Sequence, residues 1–143
     1  MKIFRNFVLL LCSLALFRAD PTRMHLKFHC EHNLGKWCGW LTVYEADWIK
    51  NDVVSQEKFC ETGITKHFYY EFNGDGDGSL EYEWSYQLYH NCSSEGEKLC
   101  LEPTNTKDVP VSGIQSVEFE ADLYNAGCKE NPCSLNGPAA LIG

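Results

Sequence analysis

The chain has 143 residues, of which 44% are apolar and 13% aromatic, and its formal net charge is −8. That length suits one small domain with a modest core, and the acidic balance argues against nucleic acid and against unassisted binding to anionic lipid. Eight cysteines in so short a chain point to disulfides made in an oxidising compartment.

Residues 1–19 read as a secretory signal peptide, because Lys2 and Arg5 precede an apolar run from Phe7 to Phe17. As a helix that run would span only about 16 Å, roughly half a bilayer core, which is too short for a transmembrane anchor. Cleavage fits after Ala19, or after Ala15, where Ser13 and Ala15 supply small flanking residues. A mature start at Asp20 leaves nine basic residues against twenty acidic ones, a net charge of −11. The expected localisation is secreted and extracellular, with no later segment long and apolar enough to span a membrane.

Met24 to Cys30 alternates, with Met24, Leu26, Phe28 and Cys30 on one side and His25, Lys27 and His29 on the other, which predicts a first strand. Turn residues at Asn33-Leu34-Gly35 and Gly39 lead to a second strand from Trp40 to Glu45. A connection over Ala46 to Asn51 precedes a third strand from Asp52 to Thr62, and His67 to Phe72 forms a fourth. The Gly-rich segment Asn73 to Ser79 joins it to the clearest strand of all, Glu81 to Cys92. There Tyr82, Trp84, Tyr86, Leu88 and His90 share one face, and Glu81, Glu83, Ser85 and Gln87 the other. Lys98 to Glu102 and Ile114 to Leu123 complete the set. Seven short strands without helical periodicity predict an all-β, antiparallel β-sandwich over residues 20–130, followed by a flexible tail over 131–143.

Seven cysteines follow the signal segment: Cys30, Cys38, Cys60, Cys92, Cys100, Cys128 and Cys133. Cys30/Cys38 and Cys92/Cys100 share a spacing of eight, which suits bridges across hairpin mouths, and Cys128/Cys133 closes a short loop around Asn131-Pro132. That pairing leaves Cys60 over, and an odd cysteine, whichever of the seven it is, offers a route to a disulfide-linked dimer. No pair has the two-to-four-residue gap of structural zinc ligands. Asn91-Cys92-Ser93 is an N-glycosylation sequon, usable only in the secretory pathway.

Asn73, Asp75 and Asp77, with Gly78 behind them, match the opening of a calcium loop, and Glu81 offers a further oxygen. The twelfth position, where a bidentate glutamate is needed, is Trp84, so an acidic hairpin connection is the expected role. His25 and His29 would lie about 13 Å apart along a strand, too far to share an ion. His90 is expected to be a hydrogen-bonded residue at the core edge. Trp37, Trp40, Trp48 and Tyr44 are expected to plug the end of the sandwich rather than form a surface patch. With no nucleophile elbow or comparable motif, no catalytic residue, metal site or cofactor is assigned.

Phe28-His29-Cys30, Leu41-Thr42-Val43-Tyr44-Glu45, Thr62 to Phe68, Leu88-Tyr89-His90-Asn91-Cys92 and Cys100 occur in an order that resembles the nematode transthyretin-like family of secreted proteins. The similarity covers residues 24–125 and is that of a divergent member. No glycine precedes Cys30, Gly63 stands where the family has aspartate, and Cys38 and Cys60 are additional. The resemblance implies a disulfide-stabilised sandwich of the prealbumin-like/Ig-like kind. It also implies a non-enzymatic extracellular binding protein for a small apolar ligand, a lipid surface or a protein partner. A small secreted hydrolase and a disulfide-rich structural or effector scaffold are the alternatives.

Overall fold

The computed structural model describes residues 21–31, 35–47, 51–73 and 79–129. The signal segment, Trp48, Asp75, Asp77, Cys133 and the tail lie outside the described residues. Eight strands follow in chain order: β1 (Thr22–His29), β2 (Trp37–Glu45), β3 (Asp52–Glu61), β4 (Thr65–Phe72), β5 (Glu81–His90), β6 (Leu99–Leu101), β7 (Lys107–Pro110) and β8 (Gln115–Asp122). All seven expected strands are present, and β7 is an eighth whose sequence, Lys-Asp-Val-Pro, is too short and polar to announce itself.

Two sheets face each other. One has the order β4-β1-β8 and the other β3-β2-β5-β6, with β7 pairing the first half of β5 along the same edge as β6. The expectation of wholly antiparallel pairing needs one correction, since β1 and β8 run parallel in register, Leu26 beside Phe119. A parallel pair needs a long connection, and here it is nearly the whole chain between the two strands. Placing the first strand beside the fourth and eighth also differs from the immunoglobulin partition, where the first, second, fourth and fifth strands share a sheet.

The core forms because each strand's apolar set has period two and both sheets turn that set inward. Met24, Leu26 and Phe28 of β1 and Val117 and Phe119 of β8 are buried from one side, and Leu41, Val43, Tyr82, Trp84, Tyr86 and Leu88 from the other. Aromatic edges lock the layers together: the Phe28 and Tyr86 rings meet edge to face at 5.2 Å, as do Tyr86 and Phe119. Phe72 stacks on Trp84 at 5.5 Å. At the β3/β4 side, Tyr70 donates to Glu57 at 2.9 Å and the Lys66 ammonium lies over the Phe59 and Phe68 rings.

The expected hairpin bridges are replaced by others. Cys30 bonds to Cys92, and Cys38 to Cys60. Cys30 and Cys38 follow one another closely in sequence but belong to strands of different sheets, so their spacing spans a crossover rather than a hairpin mouth. Cys30 and Cys92 instead end β1 and β5, whose inner faces meet. Cys60, expected to be left over, sits directly opposite Cys38 across β2 and β3 and is bonded to it, so it is not the odd cysteine. Cys100 is disulfide-bonded as well.

Gly39 is required by packing. A Cβ there would stand 2.8 Å from the Phe59 ring and 2.9 Å from the Tyr89 carbonyl oxygen. Gly39→Ala is expected to destabilise the domain by about 1–3 kcal/mol, read from the midpoint of urea unfolding, because the Phe59 ring must leave its edge contacts with Trp37 and Phe68.

Candidate functional site

A concavity of about 510 Å³ opens on the outer face of the β3-β2-β5-β6 sheet. Its position follows from two aromatics that break the pattern of their strands. In β2 the core takes Leu41 and Val43, so Trp40 projects outward. In β5 the core takes Tyr86 and Leu88, so Tyr89 does the same. Register then sets Trp40 beside Tyr89, with Lys58 flanking Trp40 and Cys100 flanking Tyr89. The Lys58 ammonium stands 4.6 Å from the Trp40 ring centre.

The next row holds the Cys38–Cys60 disulfide and Asn91, and Lys98 rises at the edge before β6. Asn91 is fixed from two sides. Its Oδ1 accepts from the Cys38 N–H at 2.7 Å, and its own N–H donates to the Cys38 carbonyl at 3.2 Å. Burial, with Glu102 adding to it, holds the Tyr89 phenol above its ordinary range, so it stays neutral. The cleft thus has an apolar floor of rings and sulfur, two ammonium groups at its margin, and no carboxylate in its lining.

Beside this aromatic row lies a polar one. Gln56 Nε2 donates to Thr42 Oγ1 at 3.3 Å and Gln87 Nε2 to Glu102 at 3.2 Å. Thr42, Ser85 and Gln87 are buried. Alternation alone places Ser85 and Gln87 in solvent, and the structure corrects that: both are buried on this outer surface.

His90 is buried at the inner end of β5, but the expected hydrogen bond is missing. Among the described residues neither ring nitrogen has a hydrogen-bond partner, and the nearest polar neighbour is the Ala126 backbone. Burial pushes its pKa down to about 4. The tryptophans do not act as one group. Trp37 is in the core, donating to the Gly63 carbonyl at 2.8 Å, Tyr44 is buried on the outer face, and Trp40 lines the cleft. Trp84 is fully buried, so the position a calcium loop most needs belongs to the core, while Asn73 and Glu81 are exposed at the ends of their strands.

On the opposite sheet, His25 and His29 face outward and hold separate partners. His29 contacts Thr65 at 2.9 Å and Glu120 at 2.9 Å, whereas His25 Nε2 meets His67 Nδ1 at 3.0 Å. Lys27, then His29, holds the Glu120 carboxyl below the usual carboxylate range. Among the described residues no three His, Cys, Asp or Glu side chains converge as a ready metal cluster, and no helix is long and apolar enough to cross a membrane.

Sequence reasoning passed over Lys58, Tyr89 and Lys98. The available signal was phase: Trp40 and Tyr89 are both aromatics on the outer side of their strands, and the β2/β5 register makes them neighbours.

Fold and site together define an all-β, disulfide-pinned two-sheet sandwich with one apolar, lysine-edged cleft on its outer surface. The chain belongs to the family described as Caenorhabditis elegans protein of unknown function (DUF870), whose model matches residues 25–136. No curated protein and no solved structure gives a significant match.

Proposed function

We propose that this is a secreted, non-enzymatic extracellular binding protein of the transthyretin-like kind, and that its cleft takes a small apolar molecule carrying an anionic end. The observation that carries the reading is the pairing of Trp40 and Tyr89 with Lys58 and Lys98 around one concavity. Its volume lies within the range of small-molecule sites, about 300–1,000 Å³, and its lining is chiefly apolar with few polar groups, as such sites are. The rings offer flat contact and the ammonium groups offer charge to an anion that the rest of this acidic chain repels.

Several features support the wider reading. The bridges Cys30–Cys92 and Cys38–Cys60 suit an oxidising compartment, consistent with a signal peptide over residues 1–19. Cys30 and Cys92 close two of the segments on which the transthyretin-like resemblance rests, Phe28-His29-Cys30 and Leu88-Tyr89-His90-Asn91-Cys92, and they are bonded to each other. Binding rather than catalysis is supported by the lining itself: its cysteines are tied in a disulfide and its one imidazole is buried with a depressed pKa. Asn91 is the proposed glycan carrier, which would place a sugar chain at the rim of the cleft.

The test is a titration of the secreted protein with oleate and with its uncharged counterpart, oleyl alcohol, followed by Trp fluorescence. Saturable oleate binding is expected, weakened roughly tenfold when Lys58 and Lys98 both become glutamine. Trp40→Ala should weaken both ligands. Absence of saturable binding, or loss of affinity for the alcohol alone in the lysine variant, would overturn the reading.

A further inference from the structure

We propose that His25 and His67 form a two-imidazole clamp for a divalent transition-metal ion of the copper(II) type on the outer face of the β4-β1-β8 sheet, the side of the molecule opposite the cleft.

Register builds the pair. His25 lies opposite Tyr69 and Lys27 opposite His67, so His25 and His67 are diagonal neighbours on two strands paired over eight residues. Their nearest nitrogens, Nε2 of His25 and Nδ1 of His67, are 3.0 Å apart. Tyr69 stacks on the His25 ring at 4.4 Å with planes 9° apart, which limits how that ring can turn. Two nitrogens at this separation, each about 2.0–2.1 Å from a common ion, subtend an angle near 95°. That is close to the right angle of tetragonal copper(II) or nickel(II) and well short of the tetrahedral angle zinc prefers. In the metal-free pair one nitrogen must donate a proton to the other. On metal binding, the donating ring changes tautomer, moving its proton to its outer nitrogen, so both inner lone pairs are free for the ion once the rings tilt toward it.

The surrounding charges favour a cation. On this face Arg23 is matched to Glu71 at 3.1 Å and Lys27 to Glu120 at 2.7 Å. Glu118, directly across from His25 on β8, is exposed and in no ion pair among the described residues. His25 also lines a shallow depression of about 380 Å³ with Arg23, Tyr69, Glu71 and Glu118, while His67 stands outside it. Glu118 is therefore the carboxylate that can join the coordination from the His25 side once it turns toward the imidazoles, with water filling the remaining positions. His29 is outside the clamp, being held by Thr65 and Glu120.

The test uses untagged, metal-stripped secreted protein titrated with copper(II), with calorimetry and electron paramagnetic resonance. One equivalent is expected to bind, with an axial spectrum carrying nitrogen couplings from imidazole, and zinc(II) is expected to bind more weakly. His25→Gln and His67→Gln should each lower copper affinity at least about tenfold, while His29→Gln leaves it unchanged. All three positions are on the outer face, so folding is checked by circular dichroism. Unchanged copper binding in the folded His25 and His67 variants, or an absence of imidazole couplings, would place any bound copper elsewhere and overturn the proposal.

Discussion

Replacing Cys30 and Cys92 together by alanine is expected to remove about 4 kcal/mol of stability, from the loop-closure entropy alone of a bridge that spans 62 residues. Both cysteines are buried, so the lost sulfurs also leave space behind in the core. Small domains have about 5–15 kcal/mol in total, and this change alone brings the fold near its limit. The bridge ties the end of β1 to the end of β5, the central strand of one sheet to that of the other. The Cys38–Cys60 bridge encloses 22 residues and corresponds to about 3 kcal/mol on the same reasoning. It also joins strands that already share a full hydrogen-bonded ladder. Urea unfolding of the two double variants decides the matter: if the Cys38/Cys60 variant proves the less stable, the bridge between the sheets is not the one that holds the sandwich closed.

Which parts of this were legible in the sequence follows from what alternation encodes. It reports the face of each residue within its own strand, and so β1, β5 and β8 could be read with their core residues in the right phase. It says nothing about which strand lies next to which. Neither the parallel placing of β8 beside β1 nor the assignment of β1 and β2 to different sheets, which parts Cys30 from Cys38, is written in any one strand. Cysteine spacing misled for the same reason: eight residues can cross a hairpin or pass from one sheet to the other, and the chemistry of cysteine is the same in both. The candidate sites show the limit more sharply. Trp40 and Tyr89 lie 49 positions apart in sequence and become neighbours only through the β2/β5 register. His25 and His67 meet only through β1/β4. A pairwise reading of His25 with His29 was the local one, and the strand's own rise separates those two while bringing neither closer to its actual partner.

Acid is expected to weaken this protein through His90. The unfolded imidazole titrates at 6.5, whereas in the fold burial pushes it down to about 4. Between those values the unfolded chain binds a proton that the folded chain refuses, so the contribution of His90 is complete above pH 6.5 and is lost as the pH falls toward 4. The gap corresponds to about 3 kcal/mol. His90 suits this role because it stands opposite Gly39 on β2 and Leu99 on β6 and is buried with neither nitrogen hydrogen-bonded among the described residues. His90→Leu should therefore show a much flatter stability profile between pH 6.5 and 4 than the parent protein, so that the difference between the two curves shifts in favour of the variant by about 3 kcal/mol across that window. Carboxylates with lowered pKa, Glu120 and Glu61, titrate in both proteins and cancel in the difference. His90→Gln guards against a repacking effect of leucine, since it keeps a polar group at the position but cannot take up the proton. Parallel pH profiles for all three proteins would mean that the imidazole finds a partner or water when charged, and that the acid sensitivity lies elsewhere.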